Sequence, residues 1–494
     1  MEIVHPINKP ELVSYHRPEL ELMLPALNMS LDCWMGLNTN GLASEKSKYL
    51  PKEYGEPDKA YSARVARSTY APIYRDSIKA YAGLLSRFKL ADPPSSLLER
   101  EDNVDLQGTS LSAFWSKCDE LAIRDGGCFV AIDMPALTSV SGLNAYEEQN
   151  DGRYPYMIIY ERKDVINWSV EYINGTEVIN HVTVRVIKQK KNQKGYGVQL
   201  EPCYYVFRPN QVQLIRLEKV EGKWIEKVES TIPTTSNRVP IVWYGASTNK
   251  FAQGEMPLCG LAELSLQHYI ARSDLFELLH KCAMPVPVRK GAALNSDGNY
   301  DPLIIGPNRA IDLPAEGGDF FFAEPSGKSL VQHQSEIEHI EALMDRSGLN
   351  FLYGAKIKTA TEASLRGAQV ASQVSALVRN KVSSFSTVMS IWAEFMGESG
   401  QLTDKSGIHI NDSLISRPLD PSGVAHLVNL KKEHMLSKET TLLELQRGGA
   451  LDPDVSIEEE LSRIKSDQDE EDAGNPPPDG ENSGPPTEDP LGNQ

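Results

Sequence analysis

The segment PLCGLAELSLQHYIARSDLFELLHKC, residues 257–282, decides how this chain is read. Pro257 stands near its start, where proline's fixed φ suits a first helical turn, and Leu261, Leu264, Ala271, Leu275, Leu278, Leu279 and Cys282 recur at mostly helical spacing. Pro285 ends it. A short Gly- and Pro-rich insert with β-like pieces follows, and then a second helical segment, SLVQHQSEIEHIEALMDRSG, residues 329–348. There Leu330, His333, Ile337, Ile340 and Met344 alternate in steps of three and four, one narrow apolar seam on an otherwise polar helix. The loop LNFLYGAKIK leads on to a much longer helix, about Thr361 to Met396. It carries a capping box at Thr359 and Glu362 and a stripe through Val370, Val374, Leu377, Phe385, Val388, Trp392 and Phe395. A helix of about 20 residues spans ~30 Å, and a lone hairpin of two such rods with limited apolar faces is marginal. Copies packed side by side around a ring would cover the unburied flanks, because head-to-tail contacts with a closing rotation make rings. An ordinary helical domain with a β excursion fits the same pattern.

Gly327-Lys328-Ser329 has the ending of a phosphate-binding loop, G-x-x-x-x-G-K-[ST]. The position that needs the first glycine is Phe322, and Pro325 removes an N–H the cradle would use. The alternative is a turn into the helix, with Ser329 as N-cap and Gln332 closing a capping box.

At 494 residues the chain can bury large cores. No stretch approaches the ~18 consecutive apolar residues of a membrane span, and the first residues lack an export signal, so a soluble globular protein with no membrane partner is expected. The six cysteines form no C-x-x-C pair, and His333 and His339, at i, i+6, point to different helix faces. No metal, cofactor or disulfide framework is indicated, and a reducing cytoplasm is the expected setting for assembly. The formal charge of −18 argues against a protein built to grip nucleic acid. Nine of those negative charges fall in the tail after Lys465, residues 467–494, which has no basic residue and is expected to be disordered.

Upstream, residues 1–53 read as short helical pieces, 59–88 as a helix interrupted at Pro72, and TSLSAFWSKCDELAIRDG as a helix ending at Gly126-Gly127 before the buried strand CFVAIDMP. From 154 to 244 every signal is β, and the expected class is α+β. Asp125, Asp133 and Asp164 lie near strand ends without a Ser/His/Asp or Cys/His grouping. Cys128 reads as a small buried hydrophobe, and Trp168 and Trp243 as core anchors. The cluster KQKKNQKG, 188–195, reads as a hairpin tip, with DNA contact as the rival reading. No catalytic residue emerges.

Several stretches in order, LAIRDGGCFVAIDMP (121–135), RYPYMIIYERKDVINWSV (153–170), VPIVWYG (239–245), GLNFLYGAKIKTATEASLRGAQVASQVSAL (348–377) and SKETTLLELQRGGALDPDVSIEEELSRI (437–464), resemble tailed-bacteriophage portal proteins. The resemblance brackets most of residues 60–465 and lies in the order and spacing of these stretches. It implies a portal fold with an α/β wing (1–256), a first stem helix (257–284), a small β-rich clip (285–328) and a second stem helix (329–347). A tunnel loop (348–360) and a long kinked helix with the remaining wing and a helical crown side (361–466) follow, before the acidic tail (467–494). It also implies a ring, typically of twelve copies, at one capsid vertex of the virion. Its partners would be double-stranded DNA in transit, terminase, a major capsid or scaffold protein, and a head-tail adaptor that docks on the clip. A head-completion adaptor and, further off, a packaging ATPase are the alternatives.

Strong phosphate binding would oppose sliding of DNA through such a ring, so few contacts are expected. Lys356 and Lys358 beside Gly354, with Arg366, are the candidates for touching the DNA backbone at the narrowest point, though two solvated loop lysines fit the sequence as well. Leu330, Ile337, Ile340 and Met344 are candidates for stem packing, within or between copies.

Overall fold

The computed structural model describes residues 8–38, 42, 48–86, 88–135, 153–191, 197–282, 286–291, 299, 317–323, 328–347, 360–410, 421–433, 435–447, 450–452 and 455–474. Two compact units result, Met1–Ile410 and Asn411–Gln494. The long helix therefore belongs to the same unit as the N-terminal region.

In the first unit, α1 (Pro18–Met35), α2 (Asp58–Arg67), α3 (Ile73–Leu85), β1 (Phe88–Ala91), the single turn α4 (Ser95–Leu98) and α5 (Leu111–Asp125) lead into the strands. These are β2 (Gly127–Asp133), β3 (Tyr156–Glu161), β4 (Val165–Ile173), β5 (Thr176–Lys191), β6 (Val198–Arg208), β7 (Gln211–Val220), β8 (Lys223–Pro233) and β9 (Ile241–Gly245). Then come α6 (Cys259–Cys282), β10 (Val286–Lys290), β11 (Asp319–Ala323), α7 (Lys328–Ser347), α8 (Ala360–Met396) and β12 (Gly407–Ile410). The second unit contains α9 (Pro421–Lys432), α10 (Lys438–Arg447) and α11 (Ile457–Gly474).

Sheet pairings among the described strands are antiparallel: β3-β2-β9, β4-β5-β6-β7-β8, β10-β11 and β1-β12. Strands that turn back on their neighbours while helices cluster elsewhere make the fold α+β. The central strand β2 is buried on both faces, as its unbroken apolar run requires. Cys128, Val130 and Ile132 pack with Trp115 and Leu121 of α5 and with Phe385 and Trp392 of α8. Phe129 and Ala131 face the other way, against Val182, Val184, Phe207 and Trp243, where the three-stranded sheet meets the five-stranded one. The far side of the larger sheet, with Ile166, Tyr204 and Ile215, is covered by Leu20 and Leu27 of α1. That burial explains why residues 18–35 form one helix despite Pro25 and not the short pieces their composition suggests.

Other local signals hold with small shifts. Ser110 caps α5 by accepting from the Ala113 N–H at 3.4 Å, and Gly126 closes it in the left-handed region at φ 78°. At Gly127 a Cβ would lie 2.1 Å from the Trp243 ring, so glycine lets the ring close over the turn. Pro72 separates α2 from α3. Helix α7 begins at Lys328, so Ser329 lies within its first turn and not at the N-cap position. Boundaries of this kind move by a residue because the first four N–H groups lack acceptors inside the helix. Helix α11 reaches Gly474, eight residues into the stretch expected to be disordered; Glu458, Glu459 and Glu460 in its first turn favour the helix start, and propagation costs little thereafter.

One buried ion pair ties these layers together. Lys381 of α8 and Asp119 of α5 are both fully buried, with Nζ donating to Oδ2 at 2.7 Å and to the Leu85 carbonyl at 2.7 Å. The Tyr244 hydroxyl donates to the other carboxylate oxygen at 2.8 Å, and the Lys381 ammonium lies 4.8 Å from the centre of the Phe88 ring. Burial pushes Asp119 up to about 6, while Lys381 and Tyr244 hold it down from going further. Removing one partner strands the other charge in the core, so Lys381→Met or Asp119→Ala should each destabilise the protein by about 3–5 kcal/mol in urea melts. The double replacement by apolar residues should recover much of that loss.

Candidate assembly interface

Residues 257–396 combine a helical hairpin, α6 with α7, and the long helix α8 that anchors to the body. A row of polar side chains makes the anchor. Asn380 Nδ2 donates to the Gly245 carbonyl at 3.1 Å, Asn249 Nδ2 returns a bond to the Asn380 carbonyl at 3.2 Å, and the Ser384 hydroxyl donates to the Trp243 carbonyl at 3.0 Å. Further along, Arg238 reaches Glu394 at 2.7 Å and the Ser390 hydroxyl at 2.7 Å. These bonds satisfy the edge of β9 and the turn after it. At the root of α6, Arg162 donates to the carbonyls of Asp125, Ala252 and Gly254 at 2.7–3.0 Å, with its guanidinium 5.3 Å from the centre of Trp243. Burial pulls this arginine down to about 10, the Asp125 carboxylate acting the other way.

The two stem helices differ. Helix α7 packs along α6, with Ile337, Ile340 and Met344 buried and Leu330 half-buried, all within one copy. Glu341 of α7 lies 3.0 Å from His268 Nε2 of α6. Its other faces are mostly exposed and polar, and Val331 is 71% exposed. Helix α6 is apolar on more than one side. Its first half buries Leu261, Ala262, Leu266 and Tyr269. Beyond that, Leu275, Phe276 and Leu278 are only half-covered, and Ile270 and Leu279 are exposed. The strands β10 and β11 join the helices as a two-stranded hairpin whose Phe321 and Phe322 are exposed, Phe320 and Phe322 meeting edge to face at 5.3 Å. Phe322, at the position a phosphate-binding loop would need as glycine, is therefore part of a strand.

Lys356 and Lys358 lie outside the described residues, and Arg366 falls in α8 ahead of its described side chains. The 188–195 cluster spans the end of β5 and the link to β6, as a hairpin requires, with Lys188 lying 5.0 Å from the centre of the Tyr205 ring. The residue that sequence reading passed over is Lys381. Its signal was present: it occupies the slot four residues after Leu377 and four before Phe385, inside the apolar stripe.

Of the three aspartates near strand ends, Asp125 and Asp133 have hydrogen-bonding partners. Arg124 grips Asp125 with two bonds at 2.6 and 2.7 Å, and Asp133 accepts from Tyr156 at 3.1 Å. Asp164 is raised to about 6, first by burial and then by Glu161, with Lys163 and Arg185 pulling it down. Cys128 and Trp243 are buried, and Trp168 is partly buried beneath Arg17.

A family model described as a domain of unknown function, DUF4055, matches residues 257–396, the span of the hairpin and the long helix. No curated protein matches the chain. Similar solved structures include the neck of an empty GTA particle computed with C6 symmetry, at 13% identity over 76% of this chain and 90% of that one, with a TM-score of 0.38. The neck of the native GTA particle computed with C12 symmetry is similar at 12% identity, 76% and 89% coverage and a TM-score of 0.37. A chain of the virion of the native gene transfer agent particle follows at 12%, 71% and 92%, with a TM-score of 0.28. No residue role is carried over from them.

Asp164 supplies a pH signature. Between about pH 4 and 6 the folded protein keeps a proton that the unfolded chain has released, so this group's contribution to stability falls as pH rises through that window. Asp164→Asn should flatten that limb and gain on the order of 2 kcal/mol over the wild type at pH 8, read from urea midpoints across pH 4–8.

Proposed function

We propose that the chain is a portal-type structural protein. Copies form a ring, typically of twelve, at one capsid vertex, and double-stranded DNA passes through it during packaging and ejection. Terminase and head-tail connector proteins dock on the insert between α6 and α7, and the capsid or scaffold protein surrounds the ring. Catalysis is left to the partners.

The observation that carries this reading is the half-covered outer part of α6. A helix apolar on several sides is stable when surrounded; α1, α2 and α3 cover parts of α6 and α7 lies along it, yet Ile270 and Leu279 stay exposed. Full burial of a leucine or isoleucine side chain is worth about 1.5–3 kcal/mol, and Ile270 and Leu279 are 39% and 43% exposed, so covering them with an adjacent copy gains a fraction of that at each. Because Ile270 and Leu279, nine positions apart, lie on opposite sides of a rod of 24 residues, about 36 Å long, the natural cover is a further rod on either side. Repeating that contact with a closing rotation gives a ring with a passage along its axis. The order of motifs along the chain supports the same reading, and the exposed phenylalanines of β11 at the end of the hairpin suit a docking surface.

Purified protein imaged by electron microscopy should show rings. Protein that stays a single copy at high concentration, and inside assembled particles, would end the reading. Ile270→Asp or Leu279→Asp should lower ring formation and change the stability of the isolated copy by no more than about 0.5 kcal/mol, as for other exposed sites. Lys356→Ala with Lys358→Ala should leave assembly intact while altering DNA packaging or retention; unchanged packaged length and retention would remove these lysines from the DNA path.

A further inference from the structure

A cavity of about 440 Å³ opens between α8 and the start of β5, with β9 behind it. Its depth is apolar: Val239, Ile241, Trp243 and Phe251 line it and are all buried. On one side Ser383, Thr387 and Ile391 line it at four-residue steps of α8. That face of the helix makes a wall about 12 Å long, room for about four residues of extended chain. On the other side stand Ile179 and Glu177 of β5, both half-buried. The depth of the trough is fixed by bonds already made. The Ser384 hydroxyl donates to the Trp243 carbonyl at 3.0 Å, and the Trp243 ring N–H donates to the Gln253 carbonyl at 3.0 Å. An incoming group therefore finds apolar contact at the bottom, and the polar choice is made at the rim.

Charge at that rim selects the occupant. The charged residues lining the cavity are Glu177 and Arg238. Arg238 is neutralised by Glu394 at 2.7 Å and donates to the Ser390 hydroxyl at 2.7 Å. The Glu177 carboxylate has no ion pair or hydrogen bond among the described residues, so it leaves one uncompensated negative charge beside the apolar trough. A phosphate or an acidic ligand would meet that carboxylate with nothing to offset it. A cation would complete it, and a charge-assisted bond to a group already partly withdrawn from water is stronger than the same bond in bulk solvent.

We propose that this trough binds a protein partner through a short extended segment, which sets a large apolar side chain into the depth by Trp243 and Phe251 and a lysine or arginine on Glu177. The walls are in place before the segment arrives, so little conformational freedom is lost on the receiving side. The site lies on the body of the chain beside α8, away from the exposed part of α6, and does not depend on the ring reading.

The test titrates the full-length protein against fluorescently labelled peptides of about six residues, read by anisotropy. The first peptide joins arginine and lysine to leucine and phenylalanine, the second carries glutamate in place of the basic residues, and the third keeps the basic residues without an apolar one. The basic, apolar peptide should bind saturably and the other two at least about tenfold more weakly. Glu177→Gln should weaken the first peptide by at least about tenfold, as for the loss of a bond to a charged group. Glu177→Lys should turn the preference toward the acidic, apolar peptide. Ser383→Trp, which fills the trough from an exposed position on α8, should abolish binding with the melting temperature unchanged. Equal binding of the acidic and basic peptides, or binding that survives both Glu177→Gln and Ser383→Trp, overturns the site. No saturable binding of any peptide below about 1 mM overturns the proposal as well. Hexylamine binding as tightly as the first peptide would make the occupant a small amine and overturn the protein partner.

Discussion

The Lys381–Asp119 pair is the constraint on which the first unit depends. Both groups are excluded from water, and each is tolerable only because the other, the Leu85 carbonyl and the Tyr244 hydroxyl complete its bonding. The geometry admits little freedom: α8 can occupy the groove between α5 and β9 at one rotation and one height. A purely apolar helix could slide there by a turn at modest cost, since Val374, Leu377, Phe385 and Val388 would find other apolar neighbours. The bonds from Asn380, Ser384 and Arg238 reinforce the same position along the helix. Specificity of docking is what the buried charge supplies here.

Fixing α8 determines what the stem can do. Arg162 ties the turn before α6 to the end of α5, and Arg67 and Ser68 tie α2 to α6 further out. The hairpin is thus held at its root and along one side, with its far part left half-covered. Exposed apolar surface on a held rod is poised for association, because little conformational freedom remains to be lost when a partner arrives.

Acidity fits into the same picture. Carboxylates that could have suggested chemistry are engaged with structure: Asp125 with Arg124, Asp133 with Tyr156, Glu56 with Arg64. On α7, Glu336, Glu338 and Asp345 are exposed, and Glu341 meets His268 of α6.

Local patterns were enough to determine the helices and strands of the hairpin, the long helix, the buried β2 and the turn at Gly126-Gly127, because spacing, caps and glycines act over a few residues. The seam on α7 was legible for the same reason. Pairing of the sheets face to face, the unbroken α1 across Pro25, the half-covered outer part of α6 and the partnership of Lys381 with Asp119 were decided only in three dimensions. Positions 119 and 381 are 262 residues apart, and nothing in either neighbourhood names the other. Whether a lysine in an apolar stripe is solvated or buried depends on the carboxylate it meets, and that meeting is a property of the packed chain. Exposure of a residue such as Leu279 is likewise settled by what fails to pack against it, which no local spacing can encode.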